Sequence, residues 1–266
     1  MTKLSITCFA AFVLLSFSAC QKAQPSHNDP EDSPCDFSPF SKHLKKTVTT
    51  RFYPGTSFSP DSRTTEYFFD DKGRVDSIMD DQTAMSVVYS ADGRVGQLRT
   101  YAYAQPQVLN AITQYYYNNG QLEKTVAQYY DAAGNPATWS TTTFYEWDAN
   151  GFIVKTWLEN SNDKRVFTRD DCGNILKTQD FYNANNAEHF LAQSAFVATP
   201  NPYYQIGLDA IFPGNYSVHN LTFGQIVHWD CADYDPSPIT SDYEYDTEGL
   251  PVKMTNTYRT EEYFYE

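Results

Sequence analysis

One short phrase recurs along this chain and constrains its fold more than any single residue does. Large, mostly aromatic residues alternate with others, a tight polar turn containing Gly follows, and an aliphatic residue stands two positions after the Gly. The phrase is clearest at Tyr67 to Val75 (YFFDDKGRV), Val87 to Val95 (VVYSADGRV) and Tyr243 to Pro251 (YEYDTEGLP). Self-similarity of this kind indicates a repeated structural unit.

The phrase has the physical signature of a β-hairpin. The large residues lie six and four positions before the Gly, which is the period-two spacing of one strand face. An Asp at the start of the turn can accept hydrogen bonds from backbone N–H groups, and the Gly supplies the positive φ of a type I turn with a bulge. The following aliphatic residue then returns to the aromatic face. Each copy therefore predicts a hairpin with one apolar side.

The chain contains about seven copies, of which three depart from the pattern. The copy at Gly120 is one residue short, the copy at Gly134 precedes Pro136, which suits only an edge or a bulge, and the copy at Gly173 has Arg169 in place of an inward aromatic. The turn glycines are Gly73, Gly93, Gly120, Gly134, Gly151, Gly173 and Gly249.

These hairpins predict an all-β fold. The connections are too short for crossover helices, which favours one long antiparallel meander that twists and curls to bury its aromatic face. The sequence leaves open whether such a sheet closes into a barrel, because strand register and shear are not visible in it.

The phrase is absent between about residues 180 and 240. There, Thr199 to Tyr204 (TPNPYY) leads into the apolar stretch Ile206 to Phe212 and then Pro213. This pattern predicts a short, partly helical insert, which either caps the sheet or carries a specific function. Leu221 to Trp229 predicts a further strand.

The first 19 residues are typical of a secretory signal peptide, with Lys3 before the apolar stretch Leu4 to Phe17. Phe17 to Cys20 (FSAC) resembles the lipobox of bacterial lipoproteins, although Phe17 replaces the usual Leu. The resemblance implies cleavage before Cys20 and its acylation, hence attachment to a membrane through the lipid. Residues 20–44 are predicted to form a flexible tether, and residues 45–266 a single β domain.

Composition limits the partners. The formal net charge is −14, and the chain has no basic run. An acidic exported protein of this kind is not expected to bind nucleic acid or to dock electrostatically on anionic lipid. The expected partners are the membrane, through Cys20, and a protein or a glycan.

The cysteines allow one disulfide. Export and lipidation would leave Cys35, Cys172 and Cys231 in an oxidising compartment, and Cys172–Cys231 is the preferred pair because Cys35 lies at the tether. Three Cys at these spacings are not a zinc signature, so no metal and no cofactor are expected.

The sequence predicts no catalytic residue. It lacks the motifs of serine hydrolases, zinc proteases and phosphate-binding loops. His228, Asp230 and Cys231 form its most reactive-looking stretch, but neighbours on a strand alternate between its faces and do not converge. Turns that begin with Asp, such as Asp148 to Gly151, resemble calcium loops without the later bidentate Glu.

Aromatic residues make up 16% of the chain, and Tyr occurs 21 times. Exposed Trp139, Trp157 and Trp229 could form a platform for sugar rings, whereas packing in the sheet core is the alternative. Two functions follow. The first is a non-catalytic structural or binding module, and the second is a carbohydrate-active hydrolase whose acidic pair is not recognisable in the sequence.

The phrase resembles the YD repeat of Rhs-type proteins, best matched by Tyr243 to Gly249. Together with the lipobox and the Asn201 to Tyr204 (NPYY) insert, it is similar to uncharacterised lipoprotein families of the Bacteroidota. The resemblance covers about residues 45 to 266 and implies a β fold and a cell-envelope location, at the periplasmic or surface face of the outer membrane. It implies no activity.

Overall fold

The computed structural model describes residues 42–53, 59–102, 105–182, 187–213, 216–217, 219–227 and 238–266. The predicted signal peptide, Cys20 and nearly all of the predicted tether lie outside these ranges. Within them, the chain forms one 17-stranded sheet and two short helices. Among the described residues, neither helix is long and apolar enough to cross a bilayer.

The elements follow one another in a simple order. They are β1 Leu44–Arg51, β2 Asp61–Phe69, β3 Val75–Asp80, β4 Thr83–Tyr89, β5 Val95–Ala102, β6 Gln105–Asn118, β7 Gln121–Tyr130, β8 Pro136–Trp147, β9 Ile153–Leu158, β10 Lys164–Arg169, β11 Ile175–Tyr182, β12 Ala187–Pro200, α1 Pro202–Gln205, α2 Leu208–Ile211, β13 His219–Val227, β14 Pro238–Thr240, β15 Asp242–Tyr245, β16 Pro251–Thr255 and β17 Arg259–Tyr265. The insert predicted between residues 180 and 240 thus contains both helices and two long strands, β12 and β13.

The sheet is an antiparallel meander that returns on itself. Strand β1 pairs with β2 on one side and with the last strand, β17, on the other. The sheet is not closed, because no paired register joins β14 to β15 in the part of the chain that the structure describes. The prediction of an all-β, curled meander with a partly helical insert is confirmed.

The repeated turns have the geometry that their residues predict. In the β2–β3 turn, Gly73 has φ +74°, its N–H donates to the carbonyl of Asp70 at 3.0 Å, and the Asp70 carboxylate accepts from the backbone N–H of Lys72 and Arg74. All seven turn glycines have positive φ. The short copy at Gly120 turns instead through Asn119 at φ +50°, which is the two-residue hairpin of type I′.

The β7–β8 turn, which contains Gly134, lies at the opposite end of the sheet from the other six, because successive strands alternate in direction. Pro136 opens β8 and lies opposite Tyr130, across a bulge that follows Gln128. Of the two settings predicted for the proline, an edge or a bulge, the structure has the bulge, which accommodates the missing N–H.

The core lies on the inner face of the curled sheet and includes the helical insert. Leu208 and Ile211 of α2 are almost fully buried against it, and the Tyr115 hydroxyl on β6 donates to the Ile211 carbonyl. Asn201 is the N-cap of α1, since its side-chain oxygen accepts from the Tyr203 N–H at 3.0 Å. The insert is thus part of the core, not only a cap on the sheet's end.

Neighbouring hairpins are joined by a recurrent bond, called here the inter-hairpin bond. A side chain at the end of one strand donates to the carbonyl two residues after the Gly of an earlier turn. The donor–acceptor pairs are Tyr89–Val75 at 2.9 Å, Tyr117–Val95 at 3.0 Å, Trp147–Leu122 at 2.8 Å, Arg169–Ile153 at 3.0 Å and Tyr265–Pro251 at 2.9 Å. The large residues of the phrase therefore bond the repeats together as well as filling the core.

Candidate functional site

The inner face of the sheet encloses a polar chamber of about 480 Å³. It lies between β1, β2 and β17 on one side and β11 to β13 with α1 on the other, and its volume falls in the range of small-molecule sites. Its walls are rich in hydroxyl and amide groups. They comprise Thr47, Thr49, Thr65, Tyr67, Ile175, Thr178, Phe196, Asn201, Tyr203, Tyr216, Ser217, Asn220, Leu221, Tyr243, Arg259, Glu261 and Tyr263.

Strand pairing arranges one wall of the chamber in rows. Thr49 of β1 lies directly opposite Glu261 of β17, while Thr47 lies between Tyr263 of β17 and Thr65 of β2. Residues two apart on a strand share a face, so these side chains all point inward. The wall therefore presents hydroxyl groups around one carboxyl group.

Glu261 is the one acidic residue in the described wall of the chamber. Its side chain belongs to a residue only 4% exposed, and Oε1 accepts a hydrogen bond from the Tyr203 hydroxyl. Burial raises the pKa of Glu261 to about 7, and a hydrogen bond from Tyr263 opposes that rise. The carboxyl group of Glu261 is therefore partly protonated and partly ionised near neutral pH.

Tyr203 organises the aromatic part of the chamber. Its ring centroid lies 6.3 Å from that of Tyr67 and 6.1 Å from that of Tyr263, both edge to face, and 5.7 Å from that of Tyr216. Burial raises the pKa of Tyr216 to about 12. The Tyr216 hydroxyl therefore remains protonated, and can donate a hydrogen bond, at any physiological pH.

The chamber opens near the start of β17. The Arg259 side chain is 51% exposed there, and its Nη2 lies 3.8 Å from Glu261 Oε2. Leu221 is also exposed on the facing strand β13. The walls thus change from an exposed cation at the mouth to a buried carboxyl group two residues further along the same strand.

A second cavity of about 500 Å³ lies near the end that holds six of the Gly turns. Its walls include Tyr117 and Trp147 of the sheet and Tyr204 and Asp209 of the insert. Tyr203 lines the chamber and the next residue, Tyr204, lines this second cavity. The helical insert therefore contributes to both.

Comparison with solved structures identifies the fold. A porin-like protein from Bacteroides uniformis superposes with a TM-score of 0.55 at 13% identity, over 84% of this chain and 96% of that one. A porin-like protein from Bacteroides vulgatus gives 0.50 at 10% identity, over 85% and 99%. At such identities the likeness establishes a shared β fold alone.

A chain of the Photorhabdus luminescens Tc holotoxin pore also matches, with a TM-score of 0.30 at 10% identity, over 79% of this chain and 13% of that one. That score is too low to support a shared fold. No model of a known protein family and no curated protein matches this chain.

Two of the tryptophans predicted as a sugar platform, Trp139 and Trp157, do not lie on one surface. Trp139 is 58% exposed and stacks on Tyr129 with centroids 4.2 Å apart, whereas Trp157 stacks on Phe144 at 5.5 Å. On β8, Trp139 is six residues from the core residue Tyr145 and therefore on the same face, whereas Phe144 is on the other face. Trp157 pairs with Phe144, so the two tryptophans lie on opposite faces of the sheet. Trp229 lies outside the described residues.

Trp157 belongs to an outward row that crosses six adjacent strands, called here the aromatic–lysine stripe. Each member lies directly opposite the next across a strand pair. In order from β6 to β11, the members are Tyr116, Lys124, Phe144, Trp157, Lys164 and Phe181. Lys164 Nζ lies 4.8 Å from the Phe181 ring centroid, and Lys124 Nζ lies 5.5 Å from that of Tyr116. The lysines therefore interact with the rings as well as with solvent.

A shallow groove of about 230 Å³ adjoins Trp157 and includes Asp163 and Asp180. Arg165 donates two hydrogen bonds to the Asp180 carboxylate, from Nε at 2.5 Å and from Nη2 at 2.8 Å. Asp180 is therefore held as the anionic partner of an ion pair.

The remaining predicted site residues lie partly outside the structure's described ranges. Cys172 takes part in a disulfide. Its pairing with Cys231 stays a prediction, because Cys231, like Cys20 and His228, is outside those ranges. Among the described residues, no group of three or more His, Cys, Asp or Glu is arranged to hold a metal ion.

Sequence reasoning missed Glu261, although a signal for it exists. Glu261, Tyr263 and Tyr265 stand two apart on one strand, so the glutamate occupies a position on the aromatic face. A carboxyl group at an inward position of an amphipathic strand indicates a buried acid.

Proposed function

We propose that this protein is a non-catalytic cell-envelope lipoprotein that serves as a binding module, with the chamber around Glu261 as its binding site. The observation that carries the proposal is the composition of the chamber wall. In the described part of that wall, one buried carboxyl group stands among hydroxyl, amide and aromatic side chains. Such a wall can hold and orient a ligand by hydrogen bonds.

A hydrolytic role has less support. Glycosidases of the common kinds place two carboxyl groups about 5 to 10 Å apart across the scissile bond. In their described parts, the chamber has Glu261 and the second cavity has Asp209 as single acidic residues. The groove beside Trp157 has two, but Arg165 neutralises Asp180.

The envelope location rests on the sequence. The apolar stretch Leu4 to Phe17 and the lipobox-like Phe17 to Cys20 favour export, acylation and retention at the outer membrane. The two Bacteroides proteins of similar fold bear the description porin-like, which agrees with an envelope protein. The YD-like hairpins support a place among the Bacteroidota lipoproteins that carry such repeats.

Incubation with oligosaccharide and polysaccharide substrates tests the non-catalytic role. We expect no release of reducing ends over hours with the purified protein. Turnover that disappears in Asp163→Asn would contradict the proposal and favour the hydrolase.

Fractionation of cells tests the lipid anchor. The wild-type protein should partition with membranes and Cys20→Ser should not. Retention of Cys20→Ser in the membrane fraction would contradict lipidation.

A further inference from the structure

The hydroxyl groups of the chamber wall point to a particular class of ligand. Among the described residues, the side-chain hydroxyls of Thr49, Thr65 and Tyr216 make no hydrogen bond within the protein. Thr49 and Thr65 stand on β1 and β2, whereas Tyr216 stands on the segment that leads into β13. Two opposing walls therefore offer hydrogen-bonding groups to whatever lies between them.

The charge of the chamber argues against an ionic ligand. Its described wall contains one cation, Arg259, and one acid, Glu261, which lie 3.8 Å apart. A bound anion would meet the carboxyl group of Glu261, and a bound cation would meet the guanidinium of Arg259. Neutral hydroxyl groups suit both, because a hydroxyl can accept from Arg259 and donate to Glu261.

The aromatic residues argue against a ligand that is polar on all sides. Tyr67, Tyr203, Tyr216 and Tyr263 form one cluster at the chamber, and Phe196 and Leu221 add apolar surface. A ligand that fits such a wall has hydroxyl groups at its rim and C–H groups on its faces. Sugar rings have this distribution.

We propose that the chamber binds a neutral mono- or disaccharide unit, held between the hydroxyls of Thr49 and Thr65 on one wall and that of Tyr216 on the other, with Arg259 and Glu261 beside it. The volume of about 480 Å³ suits a short sugar or the end of a longer one. This inference rests on the proposed binding function and places the sugar site in the interior of the sheet, not at the tryptophans that the sequence suggested.

Saturation-transfer NMR and isothermal titration test the inference with the full chain. The probes are glucose, N-acetylglucosamine, maltose and cellobiose, with glucuronic acid as the charged counterpart of glucose. We expect at least one neutral probe to bind and glucuronic acid to bind at least tenfold more weakly than glucose or not at all. Failure of every neutral probe, or stronger binding of glucuronic acid, would overturn the inference.

Two single-hydroxyl deletions locate the site. Tyr216→Phe and Thr65→Val should each weaken binding of the neutral probe about two- to tenfold, as expected for the loss of one neutral hydrogen bond. Their controls are Tyr116→Phe and Thr64→Val, which remove hydroxyls that alternation places on the outer face. A thermal melt of each variant establishes that it is folded.

The outcomes separate this inference from the proposed function. Binding that survives both deletions but is lost in Trp157→Ala would overturn the chamber site while preserving a glycan-binding module. Binding weakened in both deletions, accompanied by cleavage of the disaccharide by the wild type, would support the chamber and overturn the non-catalytic role. Binding weakened in both deletions without cleavage would support both.

Discussion

The guanidinium of Arg169 donates from Nε to the carbonyl of Ile153 at 3.0 Å and from Nη1 to the carbonyl of Gly173 at 2.5 Å. The first of these bonds is an inter-hairpin bond, equivalent to the one that the Tyr89 hydroxyl donates to the Val75 carbonyl in an earlier hairpin. The arginine that interrupts the aromatic pattern thus performs the same structural role, and it also bonds its own turn. One planar cation reaches both carbonyls because its donors are fixed in a fork.

Replacing Arg169 should therefore destabilise the protein. Arg169→Ala removes the charge-assisted bonds to the Ile153 and Gly173 carbonyls and a longer one, at 3.5 Å, to the Tyr216 carbonyl, which should lower the free energy of unfolding by about 2–4 kcal/mol in urea titrations. Arg169→Lys should retain only part of the stabilisation that Arg169 provides, since an ammonium group lacks the forked donors of a guanidinium. Arg99→Ala, at an exposed position, is the control and should cost under about 0.5 kcal/mol. Equal losses for Arg169→Ala and Arg99→Ala would contradict the role.

The tyrosine versions of the inter-hairpin bond allow a finer test. Tyr89→Phe keeps the ring under the Arg74 guanidinium, 3.9 Å away, and removes only the hydroxyl that bonds Val75. We expect the free energy of unfolding to fall by about 0.5–1.5 kcal/mol. Tyr116→Phe, whose ring faces outward, should change it little. A larger loss for Tyr116→Phe would show that the bond is not what stabilises the repeat.

The fold could be predicted because its determinants are local. A turn such as Asp70 to Gly73 specifies its own conformation through the Asp side chain and the positive φ of Gly, whatever the rest of the chain does. Repeating that unit with short connections leaves little choice but a meander. The pairing of β1 with β17 is different, since it joins the two ends of the domain and no local pattern encodes it.

The chamber could not be predicted, because it depends on this long-range pairing of β1 with β17. Thr49 and Glu261 lie opposite each other only because β1 pairs with β17. The faces on which the tryptophans lie could not be predicted for a different reason. Each bulge after a turn reverses the phase of the strand that follows, so Trp139 on β8 and Trp157 on β9 cannot be assigned to a face by counting residues alone.

Two turn glycines should differ in what a methyl group costs. A Cβ at Gly151 would meet nothing within 4 Å, whereas one at Gly173 would overlap the edge of the Phe152 ring. Both have positive φ, so Gly151→Ala should cost about 1 kcal/mol from backbone strain alone. Gly173→Ala should cost at least about 1 kcal/mol more, because the ring must move.

A double-mutant cycle isolates the clash. In a Phe152→Ala background, Gly173→Ala should cost about as much as Gly151→Ala, since the ring is gone. Thermal or urea unfolding of the four proteins gives the coupling. If Gly173→Ala still costs more than Gly151→Ala by the same amount in the Phe152→Ala background, the Phe152 ring is not the cause of the difference.

The partner of Cys172 can be identified chemically. If Cys172 pairs with Cys231, then Cys231→Ser should expose a thiol at Cys172 that reacts with maleimide under non-reducing conditions, as peptide mass spectrometry would show. Cys35→Ser is the matched control and should leave Cys172 unreactive. The reverse pattern would assign the disulfide to Cys35.

Glu261 should make stability depend on pH in the direction opposite to that of most carboxylates. Its pKa is about 7 in the folded chain against an ordinary 4.5, so between these values the folded state binds more protons than the unfolded state. The free energy of unfolding should therefore fall as pH rises from 4.5 to 7, by about 3 kcal/mol from this group. Glu261→Gln, which keeps the shape and stays neutral, should abolish that fall, and Glu262→Gln, at an exposed position on the same strand, should retain it. Parallel pH profiles for wild type and Glu261→Gln would mean that this carboxyl group is already ionised throughout the range.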